Sequence, residues 1–153
     1  MLKKVTVALA ALFFLAACSS SHKSGLNTST NTHNQSKMEM SFEKEVGDRV
    51  FFAYDSSELS MEAKEQLHKQ ITWLKAHHTT KATIAGNCDE RGTREYNLAL
   101  GERRAEKVKK FLTHHGVEAH RLDTISYGKE QPSVMGDNEA AWSKNRNAIT
   151  MVK

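Results

Sequence analysis

The chain has 153 residues, enough for one domain of ordinary size and a tether. Its 22 Lys and Arg against 18 Asp and Glu give a net charge of +4, which falls to +2 once residues 1–17, with Lys3 and Lys4 and no acid, are set aside. That balance leaves no electrostatic footprint for nucleic acid, and two cysteines are too few for a disulfide framework.

Lys3 and Lys4 open the chain and are followed by an uncharged apolar run from Val5 to Ala17. The order is that of a signal peptide, and the run is well short of the ~20 apolar residues that cross a bilayer. Leu15-Ala16-Ala17-Cys18 resembles the bacterial lipobox. It implies removal of residues 1–17 and a covalent lipid on Cys18, an S-diacylglycerol with an N-acyl chain. Each buried methylene adds ~0.8 kcal/mol of membrane affinity, so several chains would make release negligible. Ser19, where Asp is absent, suggests sorting to the outer membrane by analogy with enteric bacteria. Lipidation consumes Cys18 and leaves Cys88 as a single thiol, for which burial is the favoured fate.

From Ser19 to about Ser41 the chain is almost entirely polar, with Leu26 and Met38 among the few apolar residues. Such a stretch buries too little surface to fold. It reads as a flexible tether, residues 18–45, with an extended reach on the order of 70 Å. The domain is then expected over residues 46–153.

Val50 to Tyr54 is a short β-rich run closed by Asp55-Ser56-Ser57, the expected first strand. Ser60 can cap a helix running to about Ala76, with Ala63, Leu67, Ile71 and Leu74 on one face. Lys81 to Gly86 is a second strand. The segment from about Thr93 to His115 is the strongest helix, with Leu98, Gly101, Ala105, Val108 and Leu112 forming the packing stripe and Gly116 a left-handed end. A glycine on a packing face costs ~1 kcal/mol relative to alanine, so something must approach the helix closely at Gly101. Thr124 to Tyr127 is a third strand, Glu139 to Lys144 a short helix and Ala148 to Val152 a final strand. Alternation of this kind gives a two-layer domain of the α/β or α+β class.

The most informative stretch is DERGTREYNLALGERRA, Asp89 to Ala105. Asp89 follows a strand, and Arg104 shares a helix stripe with Asn97 and Leu100. A carboxylate and a guanidinium facing one groove suit a ligand carrying both charges, because guanidinium holds a carboxylate in a two-pronged contact.

This segment, with SYGKEQP at Ser126 to Pro132 and AAWSKNR at Ala140 to Arg146, closely resembles the OmpA-like peptidoglycan-binding family, and the resemblance covers nearly all of residues 46–153. It implies an α+β fold with a mixed sheet of about four strands, two main helices on one face and a short third helix. The implied function is non-covalent binding of the diaminopimelate of uncrosslinked stem peptide, without catalysis, linking the outer membrane to the wall. Partners in the Tol system, notably the soluble TolB propeller, are implied too. In the family pattern Asp89 and Arg104 hold the ligand, Asp55 and Leu100 shape the pocket wall, Asn97 fixes orientation and Arg146 adds a carboxylate contact.

Three departures stand out: Asn87 replaces the family's frequent His, Cys88 its Thr or Ala, and Asn147 a second Arg. The alternatives are an OmpA-like lipoprotein outside the Tol system, such as an adhesin or assembly factor, and a peptidoglycan hydrolase. Cys88 lacks a recognisable partner His for hydrolysis, and the pairs His77-His78 and His114-His115 do not have the i, i+4 spacing that grips zinc. No metal or other cofactor is expected beyond the covalent lipid.

Overall fold

The structure, a computed structural model, describes residues 28–153; the leader and Cys18 lie outside the described residues. In chain order it contains α1 (Thr28–Glu45), β1 (Arg49–Phe51), α2 (Met61–Ala76), β2 (Ala82–Asn87), α3 (Arg94–His114), β3 (Leu122–Gly128), α4 (Glu139–Asn145) and β4 (Asn147–Val152), with a single 3-10 turn at Ala119–Arg121. The strands form one mixed sheet in the order β1-β4-β2-β3. β4 runs antiparallel to both its neighbours, while β2 and β3 are parallel and joined through α3.

One face of the sheet supplies Val50, Ile84, Ala148 and Val152 to the core, and the helices supply Leu67, Ile71 and Leu74 from α2 and Ala105, Val108 and Leu112 from α3. The helix starts follow from their caps. Ser60 accepts the amide of Ala63, and Thr93 accepts that of Tyr96, each satisfying a donor that a helix start leaves open. At the far end of α2 the carbonyls of Leu74 and His77 take hydrogen bonds from buried Arg121, which also reaches the carbonyl of Thr80. A cation there completes the acceptors of the last turn.

Gly101 does serve a close approach. A Cβ on Gly101 would lie 2.3 Å from the Ser126 hydroxyl and 2.7 Å from the Gly86 carbonyl oxygen, and one on Gly86 would lie 1.9 Å from the Gly101 carbonyl oxygen. Backbone thus meets backbone, and α3 is drawn against the end of β2 where Asn87, Cys88 and Asp89 emerge. Gly116 adopts the expected left-handed conformation, with φ of 92°.

Three expectations differ from the structure. The stretch expected as flexible tether is helical from Thr28, and its last turns belong to the domain. Phe42 is buried and packs edge-on to Trp73 with ring centroids 4.8 Å apart, while the Thr80 hydroxyl approaches the Met38 sulfur at 3.5 Å. Burial of one such ring contributes about 1.5–3 kcal/mol, and once a turn is anchored each further residue adds a backbone hydrogen bond without a new nucleation cost. The core therefore begins at Phe42 rather than at residue 46. On α3 the packing stripe runs through Leu100, which is buried, and not Leu98, which is half exposed; the close glycine contact rotates α3 so that Leu98 falls at the rim beside β3. Lastly, β1 ends at Phe51, where its pairing with β4 stops, and Ala53 to Asp55 form a turn in which Asp55, with φ of 53°, is the only described non-glycine residue in the left-handed region.

Candidate functional site

At the end of β2 lies a cavity of about 210 Å³ whose walls come from the loop after β1, the loop after β2, the first turns of α3 and the end of α4. All six residues expected at a binding site, Asp55, Asp89, Asn97, Leu100, Arg104 and Arg146, line it. Cys88 also lines it, and its thiol contacts the Asn97 carbonyl at 3.3 Å. Burial pushes this thiol up, and the nearby Arg104 charge only partly offsets that effect, so Cys88 is a neutral wall group and a poor nucleophile.

Asp89 is buried and heavily engaged. One carboxylate oxygen accepts the backbone amide of Arg91 at 3.1 Å and its Nε at 3.2 Å; the other accepts Arg91 Nη2 at 2.6 Å and Arg146 Nη1 at 3.3 Å. Burial pushes the Asp89 carboxyl up, but the hydrogen bonds from Arg91 and Arg146 outweigh it and hold the group below the ordinary carboxylate range. Arg146 continues to the Glu139 carboxylate at 2.5 Å and to the Phe52 carbonyl at 3.1 Å.

Arg104 is fully buried at the cavity floor. Its Nε donates to the Ser56 carbonyl at 2.8 Å, Nη1 to the Asn87 carbonyl at 2.6 Å and to the Cys88 sulfur at 3.4 Å, and Nη2 to the Ala53 carbonyl at 3.2 Å. A guanidinium has five N–H donors, so four are spent on holding three chain segments together and one is left for a ligand. Asn97 has a related role: its amide donates to the carbonyls of Arg91 and Thr93 and pins the loop before α3. Asp55, on the opposite rim, accepts the Tyr96 hydroxyl, a bond that raises the Tyr96 phenol.

Arg91 was not singled out from the sequence. Its guanidinium lies between two aromatic rings, 4.0 Å from the centroid of Tyr54 and 4.1 Å from that of Trp142. The available signal was the Asp-x-Arg spacing, in which an aspartate accepts the amide two residues on and so turns the arginine back over itself. The site gathers three guanidinium and two carboxylate groups, a balance suited to a zwitterion with an excess of negative charge. Among the described residues no group of His, Cys, Asp and Glu could hold a metal ion.

Residues 51–146 match the OmpA family. The chain belongs to that family. This OmpA-family chain is 49% identical over 111 residues to a peptidoglycan-associated lipoprotein of Brucella melitensis, a match spanning 72% of the chain and 66% of that protein's length. It is 40% identical over 154 residues to the protein of the same name from Pasteurella multocida, covering 97% and 96%. The crystal structure of the peptidoglycan-associated lipoprotein from Burkholderia pseudomallei superposes with a TM-score of 0.67 at 40% identity, over 69% of this chain and 90% of that one. The C-terminal domain of Helicobacter pylori MotB, with a TM-score of 0.65 at 19% identity over 69% and 84%, shares the fold alone. The expected α+β architecture is therefore the observed one. Among the described residues no helix is long and apolar enough to cross a membrane.

Proposed function

We propose that this OmpA-family chain is an outer-membrane lipoprotein, held by lipid on Cys18, whose domain binds peptidoglycan stem peptide without cleaving it. The observation that carries the reading is the cavity itself, where Asp55, Asp89, Arg91, Arg104 and Arg146 meet in a volume fit for one amino-acid end group. The free end of diaminopimelate bears an ammonium and a carboxylate on one carbon, and a second copy of that pair is unavailable once the other end is bonded into the stem. The names of the relatives, peptidoglycan-associated lipoproteins, support association with peptidoglycan and a lipoprotein anchor. Function follows as a reversible mechanical link between membrane and wall within the Tol system, supporting envelope integrity and constriction at division.

The test is retention of the full chain, in detergent, on purified sacculi. Binding that free stem peptide competes away is expected. No retention would discard the reading, and release of soluble muropeptides would turn it into that of a hydrolase. Mass spectrometry of the amino-terminal peptide should find Cys18 acylated, and Cys18→Ala should abolish outer-membrane fractionation. Co-purification with TolB, reduced by added stem peptide, is expected; its absence beside intact wall binding would favour an OmpA-like lipoprotein outside the Tol system.

A further inference from the structure

We propose that the histidine-rich end of the domain, where α2 and α3 terminate, is a pH-dependent docking surface for the anionic phospholipid headgroups of the leaflet that holds the lipid anchor. The surface presupposes the anchoring at Cys18 proposed above and adds a second contact with the same membrane. Five of the eight histidines of the chain, His77, His78, His114, His115 and His120, are exposed at this end. His77 and His115 are the C-caps of α2 and α3. Contacts tie the two helix ends and the turn before β3 into one surface. Buried Arg121 joins the carbonyls of Leu74, His77 and Thr80, a Cβ on Gly116 would lie 3.1 Å from Lys75 Nζ, and the rings of His68 and His115 meet with centroids 4.8 Å apart.

The course of α1 turns this end toward the membrane. Gln66 donates to the Val46 carbonyl, Phe42 packs on Trp73 and Met38 reaches Thr80, so α1 runs antiparallel to α2 and past its end. Thr28 to Lys37 continue beyond that last contact for about 15 Å at ~1.5 Å per residue, in the direction of Cys18 along the chain. α1 lies on the flank of α2 that bears Gln66 and Trp73, whereas α3 lies on the flank of His68 and Lys75. It therefore leaves His114, His115 and His120 uncovered. The ligand cavity sits at the other end of α3, about 30 Å away, and faces away from a docked leaflet.

Charge makes the contact conditional. At this end Lys37, Lys75, Lys81, Lys109, Lys110, Lys153 and buried Arg121 are set against Glu39, Glu118, Asp123 and the terminal carboxylate, with Glu118 bonded to Arg121 and the Lys153 amide to the Lys81 carbonyl. The excess is modest, and the imidazoles decide its size, with His68 beside His115 and His33 on the projecting part of α1 as further titratable neighbours. Histidine is the side chain whose ordinary titration falls between pH 5 and 8, so mild acid multiplies the positive charge here. The fold permits this. Nδ1 of His77 faces the Trp73 carbonyl at 2.9 Å and Nδ1 of His115 that of Phe111 at 2.8 Å. A carbonyl only accepts, so both nitrogens keep their hydrogens in either state, and the added proton enters at Nε2 without breaking a bond.

The test is energy transfer in vesicles that carry the lipidated chain, from a dye on Thr79→Cys at the histidine-rich end to an acceptor on the headgroups. A dye on Glu130→Cys reports the cavity end, and the parent chain checks that buried Cys88 stays unlabelled. Vesicles are phosphatidylcholine alone or mixed with phosphatidylglycerol. In the mixed vesicles, lowering the pH from about 7.5 to about 5.5 should raise transfer from residue 79 far more than from residue 130. The ratio of docked to free domains should rise on the order of tenfold, since each cation at an anionic surface changes it roughly fivefold, and added salt should reverse the rise. His78→Gln, His114→Gln and His120→Gln combined remove rings that make no hydrogen bond among the described residues, and should remove most of the rise in a chain that circular dichroism shows to be folded. An equal rise in phosphatidylcholine alone, an equal rise in the folded variant, or no rise in the wild type overturns the docking. A rise that requires added zinc also overturns it and gives the histidines to a metal. A chain that fails to sediment with vesicles at either pH would instead overturn the anchoring at Cys18.

Discussion

Arg104 resembles a ligand contact in the sequence and a brace in the structure, and its replacement separates the two. In Arg104→Met a straight apolar chain of similar reach replaces the guanidinium. The carbonyls of Ser56, Asn87 and Ala53 then lose their donor, as does the Cys88 sulfur. A buried acceptor left without a partner costs about 1–3 kcal/mol. The Asn87 bond is buried and the other two carbonyl bonds partly so, with water from the cavity able to replace some of what is lost. The expected total is about 3–4 kcal/mol against a typical stability of about 5–15 kcal/mol. With a urea dependence of about 1–3 kcal/mol per molar, the midpoint should fall by on the order of 2 M. Urea titration of wild type and variant, followed by far-ultraviolet circular dichroism, measures the shift; sacculus binding is then compared where both are fully folded. A variant with an unchanged midpoint and abolished binding would refute the brace and restore Arg104 as chiefly a ligand contact.

Gly101→Ala should cost about 1–3 kcal/mol, since its Cβ meets the Gly86 carbonyl oxygen as well as the movable Ser126 hydroxyl; an unchanged thermal midpoint would show that α3 stands off β2 farther than described. The Asp89 carboxyl, held low in the folded state, contributes stability that is present above the unfolded value of ~3.9 and lost as pH falls through the lower folded value. Stability of the wild type should therefore drop across that acid window, and Asp89→Asn should remove part of the slope; identical acid limbs would contradict the pairing. Phe42→Ala should destabilise by about 3–5 kcal/mol, and a chain beginning at residue 46 should be similarly weakened, whereas a urea midpoint equal to wild type would return Phe42 to the tether.

Much of this was legible because the local signals agree with the fold. Ser60 and Thr93 stand three residues before the amides they cap, and the apolar spacing of α2 is that of its buried face. Gly101 announced a close contact through its cost alone. Elsewhere the signal was of the wrong kind. α1 has no apolar stripe; it is ordered from one end by Phe42 reaching a tryptophan 31 positions later, which periodicity does not register. Leu98 and Leu100 compete for one face, and only the glycine contact decides between them. The six residues expected at a site line one cavity, but which of them still have donors to offer depends on carbonyls from the loops after β1 and β2. That accounting moved Arg104 inward.

The helical state of α1 also sets a length. A helix advances ~1.5 Å per residue where an extended chain covers ~3.3 Å, so its 18 residues span about 27 Å instead of about 60 Å. Under the proposed lipidation of Cys18, ten residues separate the anchor from Thr28, where the described helix begins, and even a fully extended chain of ten residues reaches no farther than about 33 Å. In the proposed role the protein would act less as a slack leash than as a gauge. Under the proposed anchoring and wall binding, the separation between lipid leaflet and wall would be capped near 60 Å measured from the domain end of α1 at Glu45, and any widening past that would uncoil α1 or break one of the two grips.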